Sequence, residues 1–113
     1  MKNEIKDGVL VISLDGNLLG EHTNAPVMEL IQKNLDAGNR KVLFNLAEMK
    51  FINSTGLGML LSAVTKTRKA GGELALCSLP EQMTKLLQMT KLESVFAVHA
   101  DEAKGISFLN GVN

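Results

Sequence analysis

Phe51-Ile52-Asn53-Ser54-Thr55-Gly56-Leu57-Gly58-Met59-Leu60 is the stretch on which the fold of this chain turns. A helix has to begin inside it, because Leu57, Leu60, Leu61 and Val64 recur at the spacing of one helical face. The predicted helix runs from Ser54 to Ala70, and Gly71-Gly72 ends it. Asn53, Ser54 and Thr55 stand at its start, where side-chain oxygens can accept the N–H groups of the first turn. Capping by itself accounts for these three residues. It does not account for Gly56 and Gly58, each of which costs roughly 1 kcal/mol against alanine inside a helix. Glycines so placed point to close approach by another backbone or by a partner. Met59, about 200° around the helix from Leu57, is expected off the buried stripe and exposed beside Ser54, as an adaptable contact residue.

Working outward, Glu4–Lys6 and Val9–Leu14 read as short strands joined by Asp7-Gly8, a two-residue hairpin signal. Asp15-Gly16-Asn17 reads as a turn. A helix follows from Asn24 to Ala37, capped by Thr23 or Asn24, with Pro26 in its first turn. Its inward face is Val27, Leu30, Ile31 and Leu35, and Gly38-Asn39 stops it. Lys41–Leu46 carries Val42-Leu43-Phe44, apolar on both faces as in a parallel sheet. Leu74–Cys77 is a second such strand. Beyond it come a helix near Pro80 (Met83, Leu86, Leu87, Thr90), a strand at Val95–Val98, and a helix from Asp101 with Ile106 and Leu109 inward. Alternation of strand and helix implies right-handed parallel crossovers. The expected fold is therefore α/β: one mixed, mostly parallel sheet with helices and an N-terminal β-hairpin, in a single domain over residues 1–113. In such a sheet partners bind at the carboxyl ends of the strands. The turn after Leu14 and the segment after Leu46 are expected to share that end.

Composition narrows the function. Twelve Lys plus Arg balance twelve Asp plus Glu, so nothing general draws the chain to nucleic acid or anionic lipid. Without Trp or Tyr there is no base-stacking platform. No apolar run reaches membrane-span length, and Met1-Lys2-Asn3-Glu4 lacks a signal segment, so a cytoplasmic location is expected. The single cysteine, Cys77, ends a buried strand and reads as a small core residue. His22 and His99 read as polar loop residues without metal-like spacing, and no metal or cofactor is expected. Lys66, Arg68 and Lys69 suit the negative end of a helix dipole. Met83, on a helical stripe, reads as core, and Met89, off that stripe, has only a weak claim to an interface. An enzyme would need Ser54 as nucleophile and a histidine fixed beside it, and no motif supplies one.

Ser54 suits another chemistry. A phosphate on a serine at a helix N-terminus carries about −1.5 to −2 charges and meets N–H donors and the positive end of the dipole. The fold need not open to hold it, yet the charge would weaken a complex formed there. A loss of ~3 kcal/mol changes affinity more than a hundredfold.

The stretch from Phe51 to Gly58, with the hairpin, Leu14-Asp15-Gly16-Asn17-Leu18, Val42-Leu43-Phe44-Asn45-Leu46, Ala70-Gly71-Gly72 and Leu74-Ala75-Leu76, resembles the STAS domains. That family is named for sulfate transporters and anti-sigma-factor antagonists, and its core motif reads Asp-Ser-Ser/Thr-Gly-Leu-Gly/Ala. The resemblance to free-standing antagonists implies an unphosphorylated, monomeric protein that binds an anti-sigma factor, itself a GHKL-type serine kinase. The kinase would inactivate it at Ser54, with Thr55 the second choice, and a PP2C-type phosphatase would restore it. The implied contact residues are Asn53, Ser54, Thr55, Gly56, Leu57, Gly58, Met59, Asn17 and Leu19. The chain departs from the family at Asn53 and Asn45, where aspartate is usual, and at Leu19, near an aspartate common in antagonists. Two amides in place of carboxylates imply a partner surface that is less basic. The same family also supplies subunits of ABC lipid transporters and of sensory assemblies, in which the helix start is an interface without phosphorylation.

Overall fold

The computed structural model describes residues 1–18 and 21–111, with backbone only for residues 21–23. Strand β1 (Lys2–Lys6) turns into β2 (Val9–Ser13) through Asp7 and Gly8. Their φ angles of 51° and 80° are the paired positive values that a twisted two-residue hairpin requires. There follow β3 (Gly16–Leu18), α1 (Glu21–Asp36), β4 (Lys41–Asn45), β5 (Met49–Ile52), α2 (Ser54–Lys69), β6 (Glu73–Cys77), α3 (Glu81–Met89), β7 (Ala97–His99) and α4 (Glu102–Asn110). The main sheet has the order β1-β2-β4-β6-β7, and only β1 runs antiparallel to its neighbour. The α/β fold with a mixed, mostly parallel sheet and an N-terminal hairpin is thus the observed one.

Alternation along β4 divides the interior. Val42 and Phe44 join Val27 and Ile31 of α1, Leu57, Leu60 and Val64 of α2, and Met83 and Leu87 of α3. Leu43, between them, faces Leu109 of α4 together with Val9, Val11, Ala75 and Cys77. Three helices therefore cover one face and α4 covers the other. Each buried Leu, Val or Phe stabilises this arrangement by roughly 1.5–3 kcal/mol.

Three expectations are corrected. The turn at Asp15-Gly16-Asn17 continues into β3, which pairs in parallel with β5 as a separate two-stranded ribbon. Neither strand exceeds four residues, so the period-2 pattern had too few repeats to register. Helix α1 begins at Glu21, a turn before the expected start, so Pro26 lies inside the helix instead of in its first turn. Asn24 accordingly does not cap it. The last strand is Ala97–His99, shifted from Val95–Val98, and His99 lies on it instead of on a loop.

Candidate functional site

The start of α2 is held in place by backbone. Asn53 is its N-cap: the side-chain Oδ1 accepts the Gly56 N–H at 2.9 Å, and the Asn53 carbonyl accepts the Leu57 N–H at 2.9 Å. The Asn53 N–H in turn donates to the Leu18 carbonyl at 3.3 Å, which ties the helix start to the end of β3. Gly56 makes that union possible, because a Cβ at this position would overlap the Leu18 carbonyl oxygen. The close approach expected at Gly56 is therefore real, and it is made by the protein's own backbone. Gly58 has nothing within 4 Å of where a Cβ would stand. Asn24 of α1 donates from Nδ2 to the Thr55 carbonyl at 3.3 Å and so braces the same turn from the other side.

Of the residues expected at the contact, Asn17, Asn53, Ser54 and Thr55 are exposed and stand around this one corner, and Gly58 is half-buried. The turn after Leu14 and the segment after Leu46 do share the carboxyl end of the sheet, as the Gly16 N–H to Glu48 carbonyl bond of 3.0 Å records. Gly56 and Leu57 are buried. Met59 is a correction: it is 3 % exposed and belongs to the core. Helix α2 is covered by α1 as well as by the sheet, so its buried arc also takes in Gly56, Ala63 and Thr67. Met59 lies about 60° from Gly56 and about 40° from Ala63 on the helical wheel, inside that wider arc. Leu19 and the side chain of His22 lie outside the described residues.

Sequence reasoning missed Phe51. It is 63 % exposed, beside Asn17 across the β3–β5 ribbon and three residues before Ser54. Alternation would have misled here, because Met49, two residues earlier on the same strand, is buried. The first turn of α2 carries no acidic residue.

Asn45 serves a different place. On the α4 face, its Nδ2 donates to Glu102 Oε1 at 3.3 Å and its Oδ1 accepts the Ala47 N–H at 3.0 Å. Lys6 Nζ lies 2.6 Å from Glu102 Oε2. The bond from Lys6, opposed by partial burial, holds the Glu102 carboxyl below its usual range. Cys77 is fully buried, and burial pushes its thiol up, as suits a core residue. His99 stacks at 4.6 Å on Phe108 of α4, on the face of the sheet opposite α2. Arg68 pairs with Glu73 at 3.0 Å, and Met89 is 81 % exposed. Among the described residues no group of His, Cys, Asp and Glu could hold a metal ion, and no helix is long and apolar enough to cross a membrane.

Comparison with known proteins agrees with this geometry. BtrV of Bordetella bronchiseptica, named for anti-sigma factor antagonism, is 30% identical over 104 residues, 90% of this chain and 88% of its own length. An anti-sigma factor antagonist from Thermotoga maritima has the same fold, with a TM-score of 0.85 at 19% identity over 96% of this chain and 93% of that one. So does the Bacillus cell fate determinant SpoIIAA in its phosphorylated form, with a TM-score of 0.74 at 22% identity over 95% and 96%. The family model of the STAS domain matches residues 1–105. The match spans the hairpin, the mixed sheet and the capped helix start alike, and the chain belongs to the STAS domain family.

Proposed function

We propose that this protein is an anti-sigma-factor antagonist that binds an anti-sigma factor through the corner formed by Asn17, Asn53, Ser54 and Thr55, and that phosphate on Ser54 ends the complex. The observation that carries this reading is the placement of Ser54: exposed, first in α2, and flanked by a cap and a backbone tie that do not depend on its side chain. A phosphate can be added there without disturbing Asn53, Gly56 or Leu18. The charge then lies on the contact surface itself, so the complex is lost without any change of shape. The names of the relatives support the partner class, and the phosphorylated form of SpoIIAA supports the compatibility of this fold with the modification. The kinase is the GHKL-type anti-sigma factor, a PP2C-type phosphatase reverses its action, and all three work in the cytoplasm. Thr55 is the second hydroxyl on the same turn. Neither serves as a nucleophile in this reading: His99 is engaged with Phe108 on the far face of the sheet.

The test is intact mass and phosphosite mapping on protein isolated from its native cells, before and after phosphatase treatment. One phosphate, removable and located on Ser54, is expected. Its absence under every growth condition would overturn the switch and turn attention to constitutive assembly with a transporter or sensory complex.

A further inference from the structure

We infer that Phe51 is the apolar anchor of the partner contact, inserted into an apolar pocket on the anti-sigma factor; this rests on the function proposed above. The chain has four phenylalanines. Phe44 and Phe96 are 0 % and 4 % exposed and Phe108 of α4 is half-buried against the sheet, whereas Phe51 is 63 % exposed. A single exposed apolar residue is ordinary, and its surroundings are what distinguish this one. Its strand is braced on both sides: β3 pairs with it, with Asn17 as its neighbour, and the Gln82 side chain of α3 donates to the Lys50 carbonyl just before it. Its backbone is therefore held before any partner arrives, which reduces the ordering cost of binding.

Charge points the same way. Neither Gly16–Leu18 nor residues 51–60 contain a charged side chain. Charged side chains flank these two segments at Asp15 and Lys50 but none lies within them, so burial of an aromatic residue is the main source of affinity that the segments themselves offer. A phosphate on Ser54, three residues along the chain from Phe51, would have to be stripped of water in the same contact, which sharpens the switch.

The experiment uses the full chain and the kinase, purified from the native cells, that phosphorylates Ser54. Binding of the unphosphorylated protein is measured by calorimetry for the parent, Phe51→Ala and Phe51→Leu, with thermal melts as a check on folding. Phe51→Ala is expected to weaken binding at least about tenfold, as loss of an interface anchor does, and to raise the KM of phosphorylation with little change in kcat. Phe51→Leu should recover most of the affinity. Parental binding should change less than about threefold between about 50 and 500 mM salt. A folded Phe51→Ala protein that binds like the parent, or binding that collapses with salt, would overturn the anchor while leaving the Ser54 switch intact. A parent protein that forms no complex would overturn the proposed function and the anchor together.

Discussion

Asn45 and Asn53 look alike in the sequence: each ends a strand or follows one, and each puts an amide where the family usually carries a carboxylate. Their surroundings differ. Asn45 lies on the α4 face between Glu102 and the Ala47 N–H, giving one hydrogen bond and accepting another. A carboxylate there could still accept from Ala47 but would confront Glu102 with a like charge. The amide at Asn45 is therefore favoured by its own hydrogen bonds within the protein. Asn53 caps α2 through an oxygen that aspartate would supply equally well. The capping bond by itself does not distinguish the amide from a carboxylate at this position. Of the two departures that implied a less basic partner, Asn45 no longer supports that inference, because its amide bonds within the fold.

The two regions also differ in what holds them. The Asn53 corner depends on backbone contact through Gly56, and the Asn45 corner on side-chain charge through Lys6 and Glu102. The largest effect should therefore come from Gly56→Ala, which drives a methyl group into the Leu18 carbonyl and should destabilise the protein by about 3 kcal/mol, as overpacking of a tight site does. Gly58→Ala, one half-turn on with open space around it, should stabilise by about 0.5–1 kcal/mol through helix propensity. Urea denaturation of the two variants checks both signs. If Gly56→Ala matched Gly58→Ala, the helix start would not be held by β3 at all.

The next effect separates the two amides directly. Asn45→Asp should cost about 1 kcal/mol at neutral pH, because two carboxylates then share one edge of α4, partly screened by solvent and offset by Lys6. Asn53→Asp should leave stability within about 0.5 kcal/mol of the parent, since the two residues cap equally well and the added charge suits the helix dipole. Denaturation midpoints for the two variants provide the measurement. The purified kinase should bind Asn53→Asp no more tightly than the parent. Tighter binding would overturn the idea of a less basic partner.

What the sequence made legible follows from the length and regularity of each signal. The buried run Val42-Leu43-Phe44, the Asp7-Gly8 hairpin and the Leu57–Val64 stripe repeat a pattern often enough to define an element, and each is where it was expected. The β3–β5 ribbon has three and four residues and left no periodic trace. The wrong side for Met59 came from drawing a one-sided stripe on a helix that is packed from two directions. Asn24 read as a cap because its chemistry suits one, whereas its amide braces the neighbouring helix. Phe51 was passed over because exposure of an aromatic residue is set by which layers lie above its strand, and no local pattern records that.

The smallest expected effect concerns the charge that holds the Asn45 corner. The hydrogen bond from Lys6 favours the ionised form of Glu102 and lowers its folded-state pKa, so this pair contributes stability that is fully present above pH 4.5, the ordinary glutamate value, and is lost as pH falls through the lower folded value. Lys6 is raised in turn, chiefly by its hydrogen bond to Glu102 and then by that to Glu4. Its share is present below pH 10.5 and is lost as pH rises through the higher folded value. Glu102→Gln keeps an acceptor for Asn45 but removes the charge, so the parent's stability advantage over this variant should shrink on the acid side. Lys6→Met should lose both the acid and the alkaline component. Because the Lys6 and Glu102 side chains remain 39% and 27% exposed, solvent screens the pair and added salt should compress these differences. Thermal melts from acid to alkaline pH at two salt concentrations would show it. The same series on Asn53→Asp should keep the parent's alkaline component, since that variant retains both Lys6 and Glu102, and its loss there would dissolve the contrast between a corner held by charge and a corner held by backbone.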